Sequence, residues 1–190
     1  QPIVNLDCIA VKAVLRWRLK RDRKHACFAV HIHATLPGGM ENVEELQSYF
    51  IRRMEKFLNS HNRVLLGWDE ILEGGLAPGA TVMSWRGTQG GWEASEQGHD
   101  VVMTPASSMY FDYYQGIPDT EPVAFGGYVP LSKVYEFDPV VDSMSVEQKA
   151  HVLGGQANMW SEFIPNPSHS EYMMFPRLAA LAEVVWSPKE

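Results

Sequence analysis

The sequence predicts an α/β chain whose core is a parallel sheet of the barrel type. Three observations carry that expectation. Four short, near-continuous apolar runs, in "RVLLGWDEI", "ATVMSWRG", "HDVVMTP" and "LGGQANMWSE", recur along the chain, as strands buried on both faces do. Segments of helical composition stand between and around them, and alternation of the two kinds means parallel strands under helices. Tryptophan, tyrosine and carboxylate residues collect where the runs end, and in α/β barrels ligand groups sit at the C-terminal ends of the strands.

In chain order, residues 42–62 read as a helix. Leu46, Tyr49, Phe50, Phe57 and Leu58 recur at helical spacing, and Asn42 can cap the start. A first strand ends at Gly67 and Trp68, and a second ends at Trp85. "GGWEASEQG" reads as a short helix stopped by Gly98. A third strand is closed by Pro105, and the long aromatic loop 106–130 after it has the length and composition of a functional segment. "SVEQKAHV" is a serine-capped helix, and the fourth run carries Trp160 and Glu162. Alternate residues of a strand share a face, so these two side chains are expected to point the same way from the strand end. A closing helix bends or starts afresh at Pro176.

The 190 residues suit one domain with a core; 45% are hydrophobic and 21% charged, as in ordinary globular chains. A net charge of -7 argues against a partner bound through its phosphates, so no nucleic acid is expected. The apolar runs are too short to span a bilayer, and no export signal is visible at the start. Cys8 and Cys27 make no disulfide framework. Residues 1–41 do not join the repeating pattern and stay unassigned, leaving 42–190 as the recognisable domain.

The pieces "GWDEIL", "VMSWRG", "SSMYFDYYQG" and "GGQANMWSEFI", with the closing "FPRLAALAEVVWS", resemble strands five to eight of the catalytic (β/α)8 barrel of family 20 glycoside hydrolases, the β-N-acetylhexosaminidases. The resemblance covers roughly residues 45 to 188 and implies a half barrel. That family's acid/base run, His-x-Gly-Gly-Asp-Glu at the end of strand four, does not occur in these 190 residues, and Asp69-Glu70 belongs to strand five instead. The resemblance implies hydrolysis of terminal N-acetylglucosamine or N-acetylgalactosamine in which the substrate's own acetamido oxygen attacks C1, an exception to the two-carboxylate pattern. Carried over position by position, Trp68, Trp85 and Trp160 line the acetamido pocket and Tyr110 donates to the acetamido oxygen. Asp112 and Glu162 accept from the outer sugar hydroxyls. No cofactor or metal is implied, the partners are glycans bearing N-acetylhexosamine, and the family points to a periplasmic or extracellular site of action.

The residues also allow plainer roles. Any one tryptophan after a strand can be core, Asp112 can cap a turn, and Glu162 can be a surface carboxylate. Glu70 and Arg86 read as members of structural ion pairs in the barrel rim, Trp92 and Trp186 as helix packing, and Pro176-Arg177 as a helix start. His31 and His33 flank one residue after an apolar run, as metal ligands do in barrel amidohydrolases, but zinc needs three or more ligands together and the other histidines do not fall at strand ends. A chain of four βα units is expected to lack turnover alone because its proton donor is missing. Its open edges leave three readings: part of a larger barrel, a non-catalytic sugar-binding or assembly module, or a homodimer that completes eight strands.

Overall fold

The computed structural model describes residues 42–187. The expectations placed on Cys8, Cys27, His31 and His33 therefore lie outside the described residues. The chain divides into two units. Of the described residues, the first holds 42–63 and 71–78, and the second holds 64–70 and 79–187.

In the first unit, helix α1 spans Val43–Ser60, and the Asn42 side chain accepts from Glu45 N at 2.8 Å. That bond satisfies one of the amides that every helix start leaves unpaired. Ser48 Oγ donates to Gly75 O at 2.6 Å, tying the 71–78 turn to the helix.

The second unit is a four-stranded parallel sheet of β1 (Leu66–Trp68), β2 (Thr81–Ser84), β3 (Val101–Met103) and β4 (Val152–Gly155), in chain order. Leu66, Gly67 and Trp68 face Thr81, Val82 and Met83, and Val82, Met83 and Ser84 face Val101, Val102 and Met103. Burial follows neighbour number: every residue of β2 is buried, whereas Leu66 on β1 and Leu153 on β4 are exposed. A uniformly buried sheet is thus not what the described residues form, because among them β1 and β4 each pair with one strand.

The connections differ from simple strand–helix alternation. Between β1 and β2 stands only a 3-10 turn, Asp69–Leu72, where a full helix would complete the pattern. Helix α2 (Gln89–Glu96) links β2 to β3 and ends before Gly98, whose φ of 78° a glycine adopts without cost. Between β3 and β4 come α3 (Ala106–Met109), α4 (Leu131–Tyr135) and α5 (Val146–Ala150). The serine cap of α5 is a complete capping box: Gln148 N donates to Ser145 Oγ while Ser145 N donates to Gln148 Oε1. Helix α6 (Pro167–Met174) stops before Pro176, and α7 (Arg177–Trp186) begins anew after it. Trp186 does not pack as expected; it is 89% exposed on the last turn of α7.

The register between β3 and β4 slips by one residue. Val101 faces Val152 but Val102 faces Gly154, so Leu153 is the extra residue of a bulge and Gly154 takes φ 136°. The strand ends at Gly155. Trp160 and Glu162 consequently sit in the loop beyond it, and strand alternation does not set their directions.

Candidate active site

The chain beyond β3 and the chain beyond β4 continue side by side after the strands stop. Tyr110 and Asn158 form an isolated parallel bridge, with Phe111 N donating to Asn158 O at 2.7 Å and Asn158 N to Met109 O at 2.8 Å. The Asn158 side chain is buried and donates to Thr104 Oγ1 at 2.5 Å while accepting from Gln156 Nε2 at 2.8 Å. One asparagine thereby fixes the loop that carries Tyr110 against the loop that carries Trp160. Nothing at sequence level singled out Asn158, whose amide finds Thr104 54 residues away.

The three tryptophans and Tyr110 come together at this end of the sheet. Trp68 and Trp160 have ring centroids 5.9 Å apart at 45°, and Trp85 stacks on Tyr110 at 6.2 Å and 29°. Both are ordinary aromatic contact geometries. The Trp160 side chain also hydrogen-bonds the Tyr110 phenol. Burial pushes that phenol up to about 12, with the Trp160 bond opposing the rise and Tyr113, Asp112 and Glu70 adding to it. Tyr110 is thus an O–H donor across the whole physiological range.

Asp112 lies beside them. Its side chain is buried, and Oδ1 has no hydrogen-bond partner among the described residues. Burial raises its carboxyl to about 6; backbone N–H groups of Asp112 and Trp160 oppose the rise, the Glu162 charge adds to it, and Arg177 lowers it. Glu162 is exposed and close enough to be felt by Asp112. Tyr110 and Asp112 are therefore at the buried floor, while Trp160, 43% exposed, stands at an open rim.

The segment bearing Tyr110 and Asp112 is pinned from below by Arg177. This guanidinium is 0% exposed and stacks 4.8 Å from the Phe111 ring centre. It donates to Phe111 O at 2.6 Å, to Tyr113 O and Val129 O at 3.0 Å, and to Met173 O. Burial lowers its value to about 10, with Asp112 the first of the charges that oppose the fall. Arg177 does begin a helix, as expected, but its role as a buried clamp was not anticipated.

Arg86 takes part in an ion pair at the strand ends, as expected. Arg86 Nε meets Asp69 Oδ1 at 2.6 Å, and Glu70 Oε2 accepts from Trp85 Nε1 at 3.0 Å. Asp69 Oδ2 further accepts from Trp85 N and Arg86 N, each at 3.1 Å. Both carboxylates of the Asp-Glu pair thus hold the end of the neighbouring strand. Among the described residues no three His, Cys, Asp or Glu side chains cluster as a metal ion would need, and no described helix is long and apolar enough to cross a membrane.

Comparison with known proteins gives one consistent answer. The chain is 52% identical over 169 residues to a β-hexosaminidase of Porphyromonas gingivalis, covering 88% of this chain and 22% of that protein. It is 33% identical over 147 residues to a β-hexosaminidase of Vibrio furnissii, covering 76% and 24%. Among solved structures, the exo-β-N-acetylglucosaminidase of Vibrio harveyi in complex with N-acetylglucosamine superposes with a TM-score of 0.70 at 32% identity, covering 80% of this chain and 24% of that one. The chain thus spans about a quarter of the length of these relatives. Its parallel sheet and helices agree with the TIM-barrel fold of those neighbours, as part of such a barrel. The sequence model of the glycosyl hydrolase family 20 catalytic domain matches residues 25–189, and the chain belongs to that family.

Proposed function

We propose that this chain supplies the acetamido-binding half of a β-N-acetylhexosaminidase that removes terminal N-acetylglucosamine or N-acetylgalactosamine with retention. The observation that carries the reading is a buried phenol, Tyr110, kept protonated among three indoles and next to a buried, under-bonded carboxylate. Trp68, Trp85 and Trp160 enclose the acetamido methyl group and hold the amide bent under the ring, a near-attack arrangement. Tyr110 donates to the acetamido oxygen as that oxygen bonds to C1 and the glycosidic C1–O bond breaks. Water then opens the resulting oxazolinium ion. Asp112 and Glu162 accept from the outer hydroxyls, Asp112 through the Oδ1 that lacks a protein donor.

The leaving oxygen needs a proton that none of these residues gives. General acid catalysis is worth about 10²–10⁴-fold, so the 190-residue polypeptide alone is expected to show no useful turnover, and the acid belongs to a preceding part of the barrel. The full gene product should hydrolyse an aryl 2-acetamido-2-deoxyglucoside and leave the corresponding aryl glucoside untouched. Tyr110→Phe should cut kcat by about 10²–10³-fold, the usual cost of one donor to a developing oxyanion. Equal rates on the two glycosides would overturn the reading. The second reading, a sugar-binding module without catalysis, is favoured by the same missing donor. It is recognised by tryptophan fluorescence that responds to N-acetylglucosamine in a full gene product with no hydrolysis.

A further inference from the structure

We propose that Glu70 is a positioning residue for this pocket: by accepting the Trp85 indole N–H it sets the angle of one wall and so the size of the acyl group the pocket admits. The inference deepens the acetamido-pocket reading and rests on it. An indole has one donor and no acceptor, so the partner of Nε1 decides how the ring is turned about its two side-chain torsions. That partner is Glu70 Oε2 at 3.0 Å. Its neighbour Asp69 fixes the main chain of the same strand end. Asp69 is buried, holds Trp85 N and Arg86 N through one oxygen and Arg86 Nε through the other. Asp69 also lies close against the start of α2, where a Cβ at Gly90 would come within 2.8 Å of Asp69 Cβ.

The end of β1 therefore grips the end of β2 twice, once by its backbone and once by its indole. Asp69 places the Trp85 main chain and Glu70 orients its ring. The oriented ring is the one stacked on Tyr110, so a turn of the indole would enlarge the wall and loosen the phenol together. A glutamate that merely stabilised the fold would change stability and leave acyl selectivity alone.

Acyl selectivity in the full gene product is the decisive readout, as the ratio of kcat/KM on aryl 2-acetamido and 2-propionamido glucosides. The wild type is expected to favour the acetamide by roughly 10–200-fold, the range for one methylene in a closed apolar pocket. Glu70→Leu should collapse that preference to about threefold or less, in line with a wall no longer held shut. Glu70→Gln, which keeps an acceptor oxygen, should retain it. Trp85→Phe deletes the donor and should relax selectivity as Glu70→Leu does, and adding Glu70→Leu to it should change nothing further, the mark of coupled residues. A wild type with no preference for the acetamide overturns the pocket reading and this inference together. A selective wild type whose Glu70→Leu variant is equally selective overturns the role of Glu70 alone. If Glu70→Leu does not fold, Trp85→Phe decides, and undiminished selectivity in it overturns the proposal.

Discussion

Asp112 is held in a state that folding alone would not choose. It is 3% exposed, its Oδ1 has no partner among the described residues, and burial raises its carboxyl from 3.8 to about 6. A raised carboxylate disfavours the fold once it ionises. The penalty is absent below pH 3.8, where folded and unfolded chains are both protonated, grows between 3.8 and 6, and is complete above 6. Asp112→Asn should therefore raise the melting temperature at pH 8 and not at pH 3.5, by a shift worth about 1–3 kcal/mol, the usual cost of an unsatisfied buried group. The same variant should lose affinity for N-acetylglucosamine, while wild-type affinity falls as pH drops through 6. A thermal melt and a ligand titration at each pH check both parts, and a variant less stable than wild type at pH 8 would contradict the assignment of strain to function. The family resemblance pointed to Asp112 through its Tyr-x-Asp match and carried no sign of its burial. That depends on Asn158 and Arg177 closing the floor from 46 and 65 positions away, which no local pattern encodes.

At the scale of elements, local chemistry was legible and distant chemistry was not. Asn42 and Ser145 announced their helices because a cap acts within three residues, and Gly98 marked a stop for the same reason. The fourth strand was read too long, since the one-residue slip opposite Gly154 comes from pairing with β3 rather than from composition. Arg177 shows the limit most clearly. Its sequence position says helix start, yet its guanidinium organises carbonyls of Phe111, Tyr113 and Val129 up to 66 residues away. Replacing it by Met keeps some of the stacking on Phe111 but strands those acceptors, each at about 1–3 kcal/mol. Arg177→Met is expected to lose at least roughly 3 kcal/mol, or about 6–12 °C of melting temperature for a chain of this size. Arg177→Lys, with a compact charge that cannot fork to several carbonyls, should fall between. Denaturation of the two variants gives the ranking, and equal stabilities for Met and wild type would show that the carbonyls find other donors.

At the scale of the whole molecule, the sheet formed by the described residues has two open edges, β1 and β4. β2 is buried throughout, but Leu66 on β1 is 52% exposed and Leu153 on β4 is 63% exposed. Apolar residues on strands with a single partner invite another chain, and closing a barrel removes such edges altogether. The relatives, some four times longer by the shares covered, have the chain length to close the barrel within one polypeptide. A second copy of the 190-residue polypeptide offers matching edges. A two-fold axis along the barrel direction would set β4 of one copy beside β1 of another with all strands still parallel, so both exposed leucines would belong to one kind of junction. Light scattering on the purified polypeptide at micromolar concentration should therefore give a mass above one copy. Leu66→Lys combined with Leu153→Lys should lower it towards one copy, because lysine on an edge discourages pairing. A discrete mass of two copies would identify the closed dimer, and a broad distribution would identify open-ended edge pairing. A wild-type polypeptide that scatters as one copy would mean that its edges are covered from within, and the leucines' exposure would then need a different cause.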